Sequence, residues 1–204
     1  GRARLEAADV VITAGEAALE GELVVPPGAP GVVVFAHGSG SSRHSQRNRY
    51  VASVLQGTGL GTLVFDLLTP EEAASDEVGH QLRFDIALLA RRLVAATRWL
   101  VRQPAAHGLA IGFFGASTGG AAALVAAAEL GAIVRAVVSR GGRPDLAGGA
   151  LREVRAPTLL IVGGYDGVVI ELTEVALGRM ICEGELRIIP GATHLFEEPG
   201  RLEQ

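Results

Sequence analysis

The sequence predicts an α/β protein built on a mostly parallel sheet with helices on both faces. Three observations lead there. Short runs such as "GVVVFA", "GTLVF" and "TLLIVG" are apolar without interruption, the pattern of strands buried on both faces. Between them lie segments with helical spacing, the longest being "RFDIALLARRLVAATRWLVRQ". Glycine marks most changes of pattern, so strand and helix alternate along the chain.

The elements follow in order. "DVVITAGEAALEGELVVP" alternates about a Gly-containing turn and predicts an antiparallel hairpin of residues 9–13 and 18–25. "GVVVFAHGSG" predicts a buried strand. In "NRYVASVLQGTG" the residues Tyr50, Val51, Val54 and Leu55 have helical spacing, and Gly57 ends the helix. "GTLVFD" is a strand ending at Asp66. Residues 67–83 form the longest polar connection and read as a solvated acidic loop, although such a loop can also border a site. The long helix carries Phe84, Ile86, Leu89, Leu93, Ala96, Trp99 and Leu100 on its apolar face, with Asp85 as a negative charge at its start. "LAIGFFG" is then a strand, 117–130 a helix, "IVRAVVSR" and "PTLLIVGG" strands, 168–180 a helix and "GELRIIPG" a strand. The tail "EEPGRLEQ" reads as the first turn of a helix whose remainder lies outside the sequence. With no repeat, low-complexity tract or linker, residues 1–204 read as a single domain.

Composition narrows the function classes. Hydrophobic residues at 49% and charged residues at 20% argue against a disordered chain. A net charge of -4 gives no support to general nucleic-acid binding. The apolar runs are strand-length or broken by Gly and Arg, which argues against a membrane span, and no basic-then-apolar signal opens the sequence. A cytoplasmic location is therefore the expectation. Cys182 is the one cysteine, so neither a disulfide framework nor a Cys-based zinc cluster is expected. His44, His80 and His107 lack metal-ligand spacing, and no P-loop or dinucleotide-binding glycine pattern occurs. No metal or cofactor is expected.

In open α/β sheets, ligands sit outside the carboxyl ends of the strands. Three reactive side chains fall there: Ser117 after "IGFFG", Asp166 after "LLIVGGY" and His194 after "LRIIPGAT". Each alone has a plain reading, as a helix cap, a turn residue and a surface histidine. Together they have the chemistry of nucleophilic catalysis. A serine hydroxyl is weak until a base accepts its proton, a histidine titrates near neutrality, and a carboxylate fixes the histidine tautomer. Gly115 and Gly119 suit the strained turn of a nucleophile elbow in "GASTG". The amide of Thr118 is one expected oxyanion donor. The second is the amide of Ser39 in "FAHGSGSS", with Gly40 as second choice. Removing such a donor costs roughly 10²–10³ in kcat.

These stretches resemble the α/β-hydrolase superfamily and, within it, the dienelactone-hydrolase-like group. The resemblance runs from the hairpin through "HGSGSSRHS", "LVFDLLTPEE", "GFFGASTGG", "SRGGRPD", "TLLIVGGYDGVV" and "PGATHLFEEPG". It implies the α/β-hydrolase fold, with an eight-stranded sheet whose second strand is antiparallel. It also implies nucleophile, acid and base at Ser117, Asp166 and His194, and oxyanion amides at Ser39 and Thr118. Some members of the bacterial subgroup it resembles are fused to a phosphoribosyltransferase-like domain, which would lie outside residues 1–204. One departure is clear. Dienelactone hydrolases place cysteine at the elbow, where this sequence has Ser117, which fits carboxylic esters or thioesters more generally. Cys182 lies elsewhere and reads as a small apolar residue.

Candidates for substrate binding are fewer. Arg43, His44, Arg47 and Arg49 crowd one loop, either as a solvated helix start or, with Arg43 foremost, facing the pocket. Arg140 ends a strand beside the predicted site and reads either as a substrate anchor or as the partner of Asp145 or Asp166. Tyr165 either lines the pocket or packs in its turn. Asp66 reads as a supporting or capping residue, and His37 as a brace for the oxyanion loop. The expected partner is a small-molecule ester, with a negative charge near the scissile bond if Arg140 and Arg43 face it. A thioesterase or acyltransferase with the same triad, and a weakly catalytic ligand-binding module, remain open. The oligomeric state is not legible.

Overall fold

The structure, a computed structural model, describes residues 5–204. Its strands are β1 (Ala7–Ala14), β2 (Ala17–Val24), β3 (Gly31–Ala36), β4 (Gly61–Phe65), β5 (Ala110–Ala116), β6 (Val134–Arg140), β7 (Thr158–Gly163) and β8 (Gly184–Ile189). Its α-helices are α1 (Gln46–Gly57), α2 (Pro70–Gly79), α3 (Ile86–Leu100), α4 (Thr118–Leu130) and α5 (Gly167–Arg179). The eight strands form one sheet in the order β1-β2-β4-β3-β5-β6-β7-β8. Among the described residues, only the β1–β2 and β2–β4 pairings are antiparallel. This is the expected α/β-hydrolase sheet, with its second strand reversed.

Alternation within each strand divides the core. Val32, Val34, Leu63, Phe65, Ile111, Phe113 and Val137 point into the larger core, with Leu89 and Leu93 of α3 and Ala122, Ala123, Ala126 and Ala127 of α4. Phe35, Val64 and Phe114 point to the other face, against Val51, Ala52 and Leu55 of α1. A third, small cluster joins Ile189, Ala192 and Phe196 to Ile161 and Leu202. Among the described residues, no helix is long and apolar enough to cross a membrane.

Three expectations need correction. Residues 67–83 are not a loop, because most of them form α2 and a 3-10 turn at Leu82–Phe84. The start signal is present as a capping box. Thr69 Oγ1 accepts from Glu72 N, Thr69 N donates to Glu72 Oε1, and Pro70 occupies the first turn. α2 lacks an apolar stripe, so periodicity passes over it. Tertiary bonds hold it instead, namely the bidentate pair of Arg92 with Glu72 at 2.7 and 2.9 Å. The long helix begins at Ile86 with Asp85 as its cap, which leaves Phe84 outside the helix and 60% exposed. The tail folds into turns rather than a helical start, and Leu202 packs on the third cluster.

Candidate active site

The turn between β5 and α4 carries Ser117 in a conformation that L-residues rarely adopt, φ 51° and ψ −124°. Small neighbours make that turn possible. A Cβ on Gly119 would stand 2.2 Å from the carbonyl oxygen of Ala36, and one on Gly115 would stand 2.4 Å from that of Gly119. Ala121, Ala122 and Ala123 let α4 lie close on the sheet and are fully buried. Ser117 therefore projects from the carboxyl edge of the sheet at the amino end of α4.

The turns after β7 and β8 meet it there. Backbone bonds tie them together, with Gly164 N donating to Ile189 O at 2.8 Å and Tyr165 N to Ala192 O at 3.0 Å. Glu198 accepts from Thr193 N at 3.1 Å and holds the loop that carries His194. The Thr193 side chain first, and then this backbone bond, hold the pKa of the Glu198 carboxyl below its usual range. Asp166 stands at the cap position of α5, but its side chain makes no capping bond. It accepts instead from His194 Nδ1 at 2.6 Å, and Ser117 Oγ donates to His194 Nε2 at 3.0 Å. The structure thus brings Ser117, His194 and Asp166 into one hydrogen-bonded chain.

The loop after β3 closes the other side. Gly38 packs directly on the serine, since a Cβ there would lie 3.4 Å from Ser117 Oγ. Sequence reasoning chose its neighbours and passed over Gly38 itself. The Ser39 and Thr118 hydroxyls are 2.8 Å apart, and Ser39 Oγ also donates to Arg83 O at 3.3 Å. Thr118, at the first position of α4, has an amide with no acceptor within the helix. His37 braces this loop as expected. Its Nε2 accepts from Leu67 N at 3.0 Å and its Nδ1 donates to Gly38 O at 2.9 Å. Burial holds its pKa below 6.5, which matches this neutral tautomer.

Two cavities open on either side of Ser117. One, of about 390 Å³, is lined by Phe84, Leu146, Val169, Leu195 and Arg143. The other, of about 70 Å³, is lined by Ser45, Arg47, Asn48 and Arg140. Ser39, Ser117, His194 and Leu195 border both. Arg140 is 9% exposed and is paired with neither Asp145 nor Asp166. Asp166 serves His194, and Asp145 takes a bidentate pair from Arg143 at 2.9 and 2.8 Å. Burial, and then the nearby charge of Arg47, lower the Arg140 pKa to about 10, so it remains a cation at neutral pH.

Arg43 is a correction. Its backbone and guanidinium bind Asp66, and its Nη1 lies 3.1 Å from Glu20, so it ties the loop to β2 and β4 instead of reaching toward Ser117. Tyr165 is 74% exposed on its turn. Arg49 pairs loosely with Glu22 at 3.7 Å. Cys182 is half-buried against the larger core. Asn48 and Phe84 are site-lining residues that sequence reasoning missed, the first because helix starts routinely carry Asn, the second because it was placed within α3.

Known proteins resemble this chain over most of its length. The family model of the dienelactone hydrolase family matches residues 19–203. A crystal structure of a dienelactone hydrolase from Anabaena variabilis is 60% identical, with a TM-score of 0.96 over 98% of this chain and 92% of that one. Est1E from Butyrivibrio proteoclasticus, at 16% identity, a TM-score of 0.78 and coverage of 96% and 93%, shares the fold. Two curated proteins of Mycobacterium tuberculosis, which carry the provisional name phosphoribosyl transferase, are 60% identical over 96% of this chain. The chain spans only 43% of their length.

Proposed function

The chain belongs to the dienelactone hydrolase family of α/β hydrolases, and on that premise we propose that residues 1–204 act as a single serine-hydrolase domain on small carboxylic esters or lactones. The observation that carries this reading is the chain of bonds from Asp166 through His194 to Ser117, at 2.6 and 3.0 Å.

With Asp166 holding the Nδ1 proton, the lone pair of His194 Nε2 faces the serine hydroxyl. Ser117 Oγ attacks the acyl carbon as its proton passes to Nε2. The amides of Thr118 and Ser39 stabilise the negative oxygen that forms. Collapse breaks the ester bond, the alcohol leaves with the proton from His194, and an acyl group remains on Ser117. Water then attacks that acyl group, gives a proton to His194, and the acid departs as the serine is restored. The cavity lined by Phe84, Leu146 and Val169 suits a short apolar portion of the substrate.

Turnover of p-nitrophenyl acetate and butyrate by the wild type and by Ser117→Ala tests this, with mass spectrometry after a fluorophosphonate probe. Loss of turnover in the variant and one adduct, on Ser117, is the expected result. Equal turnover by the two proteins with no adduct would overturn it.

A further inference from the structure

The loop that carries Ser39 is held from outside the triad, by the segment between β4 and α3. Ser39 Oγ donates to the carbonyl of Arg83 at 3.3 Å, and Thr118 Oγ1 lies 2.8 Å from Ser39 Oγ. Because the one hydroxyl proton of Ser39 goes to that carbonyl, Thr118 is the donor of the second bond. The two residues whose amides face the forming oxyanion are thus joined through their side chains. The joined pair rests on a single backbone oxygen 44 positions away in sequence.

That oxygen belongs to the 3-10 turn Leu82–Phe84, and a buried carboxylate fixes the turn. Asp76, in the last turn of α2, is 4% exposed. Its Oδ1 accepts from Leu82 N at 2.8 Å and Arg83 N at 3.3 Å, and its Oδ2 accepts from Arg83 Nε at 2.7 Å. Arg83 Nη2 donates to Asp76 O at 3.1 Å. All four bonds end on Leu82 and Arg83, the residues that lead into the carbonyl Ser39 uses. Arg83 Nη1 also reaches the loop, since a Cβ on Gly40 would stand 3.0 Å from it. The same turn presents Phe84 to the larger cavity.

The loop itself supplies little stiffness. Ser39 lies between Gly38 and Gly40, and Gly40 has φ 68°. An oxyanion donor acts only when it stands within hydrogen-bond distance of the place where charge develops, so a small displacement is felt in the rate. The hydroxyl bonds give the loop the definition its glycines lack.

We propose that Asp76 is a positioning residue for the oxyanion hole, fixing the Ser39 amide through Arg83 and the paired hydroxyls of Ser39 and Thr118. This rests on the hydrolase reading of Ser117. Asp76 touches no reacting atom and moves no proton.

The test compares wild type, Asp76→Asn, Ser39→Ala and the double variant on p-nitrophenyl butyrate. Ser39→Ala keeps the amide and removes only the hydroxyl link. Each single variant should lower kcat by about tenfold with KM little changed, less than the roughly 10²–10³ for outright loss of a donor. Since Asp76 acts through Ser39, the double variant should be no slower than the slower single one. A trifluoromethyl ketone, whose adduct on Ser117 carries the oxyanion, should lose affinity by the same factor as kcat/KM. Glu72→Gln loosens the other end of α2, at the Arg92 pair, and should lower Tm with kcat within about twofold of wild type.

If Asp76→Asn does not fold, Arg83→Lys takes its place. One ammonium cannot make both the Nε and the Nη2 bond, so kcat should still fall several-fold, and no further when Ser39→Ala is added. Full kcat in either single variant, or losses that multiply in the double one, overturns the proposal. So does a fall in kcat with unchanged ketone affinity, which marks only a smaller active fraction, or an equal fall in Glu72→Gln. Failure of the hydrolase reading looks different, and the proposal falls with it. The wild type would then turn over no ester and would not bind the ketone.

Discussion

The two sides of Ser117 each receive an arginine from the end of β6, three positions apart in sequence. Arg143 borders the larger cavity, is partly exposed, and is neutralised by the bidentate carboxylate of Asp145. Arg140 borders the smaller cavity, is buried, and among the described residues meets no carboxylate. Residue type and neighbourhood in sequence are the same, and the electrostatic outcome is opposite. The carboxylate offsets the charge of Arg143, whereas packing alone keeps that of Arg140 out of water, which weakens the fold. The walls follow the same division. Phe84, Leu146 and Val169 line the Arg143 side, and Ser45, Arg47 and Asn48 line the Arg140 side.

Ser117 stands on the wall between the cavities, so its removal should erase both sides at once. Ser117→Ala is expected to lower kcat by up to about 10⁶ on acetate and butyrate esters alike. Asp166→Asn, which offers His194 an ambiguous partner and the wrong tautomer, should cost about 10⁴ in kcat at neutral pH, with KM little changed. Steady-state kinetics on the two esters checks both.

The comparison sharpens with Leu146→Trp, which probes the larger cavity alone. Filling it should depress turnover of hexanoate relative to acetate by about tenfold, since each methylene in an apolar pocket is worth about 10-fold or somewhat more.

The smallest effect concerns the loop shared by both sides. His37 is neutral and buried, and its pKa lies below 6.5 in the folded protein. The unfolded chain therefore binds a proton as pH falls through 6.5 while the folded protein does not, so this group destabilises the fold progressively below that value. His37→Asn should remove that part of the slope of Tm against pH. It should also cost about 1–3 kcal/mol at neutral pH through the orphaned amide of Leu67. Thermal melts from pH 5 to pH 8 measure both effects.

Much of this was legible in the amino-acid order. β3, β4, β5 and β7 announce themselves because strands buried on both faces need continuous apolar runs, and a glycine-flanked serine marks the elbow because no larger neighbour fits there. The chain order of Ser117, Asp166 and His194 follows once those strands are placed. α2 was missed because its stability comes from a capping box and the Arg92–Glu72 pair rather than from an apolar stripe.

Sequence by itself determined the alternation of elements, the family resemblance and which residues stand at the carboxyl edge of the sheet. These follow from periodicity and steric need, which are local. Only the tertiary structure decided which charges are satisfied. Arg43 finds Asp66 and Glu20, Arg143 finds Asp145, and Arg140 finds two phenyl rings and an amide. Ion pairing depends on distances of a few ångströms between segments far apart in the chain, and on how much water remains between them. Neither is written in the order of the residues.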